Sequence, residues 1–69
     1  VDIDPKKVLS TAEFRLYMLY AQGVPRSQIC KEMGWRIGTL DWEVGTVKRK
    51  IKVLSTLQIR THAKARGLI

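Results

Sequence analysis

A chain of 69 residues, 45% apolar and 28% charged, makes one small domain with a modest core, and its composition excludes a disordered polymer. The formal charge of +7 points to a polyanionic partner, the bland alternative being a solvated basic face that aids solubility. No apolar run approaches the ~20 residues that span a bilayer, and no signal peptide is visible, so no membrane partner is expected.

The single cysteine, Cys30, cannot form an internal disulfide. A reducing, cytoplasmic setting is the simpler expectation, and Cys30 itself, between Ile29 and Met33, reads as a small core filler. A start at Val1 rather than Met suggests an excised domain or a processed chain.

In chain order, residues 1–8 read as a polar lead-in or the tail of a linker, with Pro5 biasing Asp4 away from helix. Ser10-Thr-Ala-Glu13 has the pattern of a capping box. It predicts a first helix over Thr11 to Ala21, stopped at Gly23, whose apolar surface includes Phe14, Leu16, Tyr17 and Tyr20. Buried tyrosine rings require partners for their hydroxyls. Pro25 suits the first position of a second helix, Arg26 to Met33, with Ile29, Cys30 and Met33 inward and Gly34 as its stop. Trp35, beside the turn, reads as a plug over the junction.

The third helix, from about Gly38 to Val53, is the element around which the rest is organised. Leu40, Val44, Val47, Ile51 and Leu54 recur at steps of four, three, four and three, which is one helical stripe. Opposite it lie Gly38, Asp41, Trp42, Gly45, Arg49 and Lys52. Ser55-Thr-Leu-Gln58 is a second capping-box pattern, opening a fourth helix over Thr56 to Arg66 that Gly67 closes. Leu68 and Ile69 are expected to fold back on the core. The expected fold class is therefore all-α, a compact four-helix domain over residues 9–69 with a central helix-turn-helix.

Charge is unevenly distributed along this chain. Residues 1–43 hold six cations and six acids, whereas residues 44–69 hold seven cations and no acid. Two helices joined by a short glycine-containing turn, the second basic and amphipathic, form a helix-turn-helix. Such a helix fits the major groove of B-DNA, residues near its N-terminus reaching base edges while Lys and Arg neutralise phosphates.

Leu9-Ser10, Glu13, Leu16, Leu19-Tyr20-Ala21-Gln22-Gly23, Ile29-Cys30 and Met33 resemble the opening of the LuxR-type (GerE-like) DNA-binding domain. That family runs Leu-Thr-x-Arg-Glu, then Leu-Leu-Ala-x-Gly, then Glu-Ile-Ala-x-x-Leu. The register continues ungapped through Thr39-Leu40, Lys50-Ile51-Lys52-Val53 and Gly67-Leu68-Ile69. The resemblance implies a bacterial transcriptional regulator's output domain that binds double-stranded DNA. It places backbone contacts near Pro25, Arg26, Ser27 and Thr39, and base-facing positions at Asp41, Trp42 and Gly45. It also implies a homodimer through the fourth helix, with Leu57, Arg60, Thr61 and Lys64 as candidate contacts.

The chain departs from that family's pattern at several positions. The family usually carries Lys where this chain has Asp41, and often His at Glu43. Arg36, itself a DNA-contact candidate, replaces the usual Ser or Thr and removes a good N-cap. Lys48, Arg49 and Lys52 are further phosphate-contact candidates, while Lys50 lies to one side and reads as solvated. Asp41 would repel phosphate unless it accepts from a cytosine amine. Trp42 would touch a thymine methyl or a sugar, or anchor a protein interface. Gly45 either lets a partner approach the helix backbone or is a tolerated imperfection costing ~1 kcal/mol.

His62 has no cluster around it in sequence, so a surface or dimer contact is expected over metal binding. No nucleophile–base pairing and no phosphate-cradling loop is present; catalytic residues, metal and cofactors are all expected to be none. The rival reading is a protein-interaction module, with Asp41, Trp42 and Glu43 facing RNA polymerase or a partner regulator.

Overall fold

The computed structural model describes residues 3–69, so Val1 and Asp2 lie outside it. Five helices follow one another: α1 (Pro5–Val8), α2 (Thr11–Ala21), α3 (Arg26–Met33), α4 (Ile37–Ile51) and α5 (Thr56–Ala65). No strand occurs among the described residues. The all-α expectation holds, with five helices in place of four.

The additional helix is α1, in the stretch read from sequence as a lead-in. Its start is locally specified. Asp4 is extended and accepts from the Lys6 backbone N–H at 3.0 Å, and Pro5 at the first helical position loses no hydrogen bond. Pro5 is buried, and α1 packs against α4.

Ser10 and Glu13 form the expected capping box on α2. The Glu13 N–H donates to Ser10 Oγ at 3.2 Å, and the Ser10 N–H donates to Glu13 Oε1 at 2.9 Å. Ser55 caps α5 through the Gln58 N–H at 3.4 Å, but the Gln58 side chain accepts from the Leu54 N–H instead, at 2.6 Å. Neither Pro25 before α3 nor Arg36 before α4 supplies a side-chain cap.

Helices α2 to α5 all end in one way. Gly23, Gly34, Lys52 and Gly67 take positive φ. The next residue's N–H then returns to the carbonyl five back: Val24 to Leu19, Trp35 to Cys30, Val53 to Lys48 and Leu68 to Ala63. This is the Schellman arrangement, and it brings an apolar residue after each stop back towards the helix. Val24, Trp35, Val53 and Leu68 are all partly buried against the core. Four apolar plugs thus close the core at the helix ends.

The expected stop near Val53 is corrected by this geometry. Helix α4 ends at Ile51, and Lys52 turns the chain left-handed. Beyond that turn the helical spacing no longer applies, and Leu54, placed on the core stripe by its spacing, is 88% exposed.

Leu40, Val44, Val47 and Ile51 are buried as the stripe predicts, with Leu16, Tyr17, Ala21, Ile29, Ile59 and Ala63. Helix α2 packs most extensively on α5, while α4 touches each of the other four. The Cα radius of gyration is 11.0 Å, matching the ~11 Å of a compact domain of this length. One core therefore serves the whole fold. Cys30 lies half-buried at its margin, and Ile69 stays exposed while Leu68 packs.

Candidate functional site

Helix α4 is buried along one stripe and open along the other. The exposed side carries Gly38, Thr39, Asp41, Trp42 and Arg49, with Gly45, Thr46 and Lys48 half-exposed and Lys52 exposed at the C-terminal turn. Asp41, Trp42, Gly45, Lys48, Arg49, Val53 and Leu54 line one shallow groove. Five of the DNA-contact candidates therefore share a single surface.

Trp42 is 67% exposed, as expected for a residue nearly opposite the stripe. Its indole is accompanied by a cation. The Arg49 guanidinium carbon lies 6.0 Å from the indole centroid, a cation–π placement. Arg49 also donates to Thr46 Oγ1 at 3.5 Å, and the Thr46 hydroxyl donates to the Trp42 carbonyl at 3.2 Å. Thr46, one turn from each, thus ties the Arg49 cation to the helix beside the indole.

Arg26, at the first position of α3, pairs with Asp41 across the α3–α4 junction. Both side chains are more than half exposed, so the pair adds little stability. Its significance is electrostatic. The acid expected to repel phosphate is matched by the cation expected to bind it. The same pair lies beside Tyr20, whose phenol burial pushes above its ordinary value, with the Arg26 charge opposing and Asp41 adding.

Ser27 is exposed on α3, while Arg36 and Thr39 are exposed around the start of α4. They lie outside the residues lining the groove. The four dimer candidates, Leu57, Arg60, Thr61 and Lys64, are exposed on α5. Arg60 stands between two shallow hollows, one lined by Tyr20, Val24 and Leu57, the other by Gln22, Lys64 and Ile69.

Two sequence expectations are corrected. Lys50 is not simply solvated: its Nζ donates to both Glu13 carboxylate oxygens, at 2.8 and 2.9 Å. His62 is half-buried, with its Nδ1 2.7 Å from the Tyr17 hydroxyl and its ring edge-on to the tyrosine. Tyr17 is fully buried, so His62 gives its hydroxyl the partner it requires. Neither pair had a local sequence signal, because both join α2 to elements far along the chain.

Among the described residues, no three His, Cys, Asp or Glu side chains gather to hold a metal ion, and no helix is long and apolar enough to cross a membrane. Comparison of the chain with protein-family models, curated proteins and solved structures found no match.

Proposed function

We propose that this domain binds double-stranded DNA sequence-specifically, as the output domain of a bacterial transcriptional regulator. In this reading α3 and α4 act as a helix-turn-helix and α4 enters the major groove. The observation that carries the reading is the outward side of α4, where Lys48, Arg49 and Lys52 accompany Trp42 and Gly45. The chain's whole net charge begins there, since residues 44–69 contain no acid. Lys and Arg on this side neutralise phosphates and release counterions, while the N-terminal half of α4 meets base edges. A homodimer through Leu57, Arg60, Thr61 and Lys64 of α5 belongs to the same reading, bringing two copies onto two half-sites.

The test is selection of bound duplexes from a random pool, followed by titration of the winners across salt concentrations. An enriched sequence and a steep inverse salt dependence are expected. Arg49→Ala and Lys52→Ala each weaken binding to all sequences and lower the log–log salt slope by about 0.9. Absence of duplex binding at low salt overturns the reading.

A second reading rests on the exposure of Trp42, since a tryptophan open to solvent suits the centre of a protein interface. There Asp41, Trp42 and Glu43 face RNA polymerase or a partner regulator. Trp42→Ala separates the two: loss of partner binding with unchanged DNA affinity favours the interaction module.

A further inference from the structure

Trp42 is the largest exposed side chain on the outward side of α4; the Arg49 guanidinium lies over one face of its indole and is itself bonded to Thr46. Beside it Gly45 contributes no side chain, and nothing lies within 4 Å of where a Cβ would stand. A flat group therefore has room against the helix beside the indole, on the ring face that Arg49 does not cover. Lys48 and Arg49 line the same groove. An aromatic face next to ordered positive charge fits a nucleotide, its base stacked on the indole and its phosphate held by the cations. In a paired duplex the bases cover one another's faces and offer only their edges. In a single strand those faces are free.

We infer that the Trp42 groove is a stacking site for an unpaired base, through which the domain binds single-stranded nucleic acid. Trp42 carries the base, while Lys48 and Arg49 carry the phosphate. The inference stands independently of the duplex reading, because it uses the face of the indole rather than contacts to paired base edges.

The decisive probe is a thymidine oligonucleotide of about ten nucleotides, titrated beside an abasic deoxyribose–phosphate oligomer of equal length and charge. Fluorescence anisotropy of end-labelled oligomers on the unaltered chain gives the affinities. Emission of a Trp35→Phe variant reports Trp42 alone. The expected result is quenching by thymidine and about five- to a hundredfold tighter binding than the abasic oligomer. Trp42→Ala abolishes that preference and Trp42→Phe retains part of it. Equal affinities for the two oligomers, or a preference that survives Trp42→Ala, overturn the inference. A duplex titrated in parallel keeps the two readings apart. Duplex binding without the thymidine preference sinks the stacking site alone. The preference without duplex binding upholds the stacking site and overturns the duplex reading.

Discussion

Glu13 and Lys50 join the N-terminus of α2 to the last turn of α4: one carboxylate caps its own helix through Ser10 and receives both hydrogen bonds of the Lys50 ammonium. Glu13 is 8% exposed, and a carboxylate so placed depends on its partners. Lys50→Met removes the cation and keeps the length of the side chain. The expected loss is about 1–3 kcal/mol in chemical denaturation. Glu13→Gln loses the ion pair but retains the capping arm, so it costs less than Glu13→Ala.

The same pair sets an acid limit. The Lys50 hydrogen bonds, then that from the Ser10 backbone, hold the Glu13 carboxyl below the usual carboxylate value, outweighing burial. A lowered folded value means that the ionised form contributes stability above the unfolded value. That contribution disappears as pH falls through the folded one. Denaturation midpoints should drop as pH falls through and below the ordinary carboxylate range, and Lys50→Met should flatten the profile.

Alkali acts in the opposite direction through Tyr17 and Tyr20. Burial pushes both phenols up, opposed at Tyr17 by the Arg66 charge and at Tyr20 by Arg26. Absorbance titration of the folded protein should show tyrosinate forming above the ordinary value of about 10. The unfolded phenols ionise first, so the stability held by the neutral rings is full below that value and lost as pH rises through the folded ones. Tyr17→Phe, which deletes the hydroxyl paired with His62, should cost about 1 kcal/mol at neutral pH.

Lys52 occupies a left-handed position at φ 58°, where the three comparable helix ends carry glycine. Lys52→Gly should raise stability by up to about 1 kcal/mol, since glycine takes this conformation without a Cβ penalty. The same change removes a cation from the outward side of α4. Higher thermal stability, together with weaker duplex binding if the proposed DNA-binding reading holds, is the expected outcome, measured by calorimetry and titration on one sample.

Gly45→Ala tests why a glycine stands mid-helix. A Cβ there meets open space, so the substitution should stabilise α4 by roughly 0.5–1 kcal/mol. If a partner lies against the backbone at that position, its affinity should fall severalfold although the fold has gained stability. An unchanged affinity marks Gly45 as a tolerated imperfection.

Much of the fold was legible because its signals are local. Ser10 with Glu13, the buried stripe of Leu40, Val44, Val47 and Ile51, and the stops at Gly23, Gly34 and Gly67 each lie within a few residues of what they determine. Lys52 hid the fourth stop, because nothing in a lysine announces left-handed backbone, and Leu54 was misplaced in consequence. The turn at Asp4-Pro5 carried a start signal, but four residues are too few to show a periodicity. The outward face of α4 was visible as a stripe opposite the core. What surrounds it was not: the pairs of Arg26 with Asp41, Glu13 with Lys50 and Tyr17 with His62 depend on how separate helices pack. Sequence spacing within one helix has no access to that.

Arg26 already holds an anion, supplied by the protein itself. A phosphate that takes Arg26 displaces the tethered Asp41 carboxylate rather than a mobile ion from the buffer. Diluting the salt does nothing to a competitor fixed in place. In the duplex-binding reading Arg26 should therefore add little to the salt sensitivity, whereas Arg49 and Lys52 add their full share. Asp41→Asn releases the built-in competitor: affinity for duplexes of any sequence should rise, and its dependence on ionic strength should steepen by about one counterion.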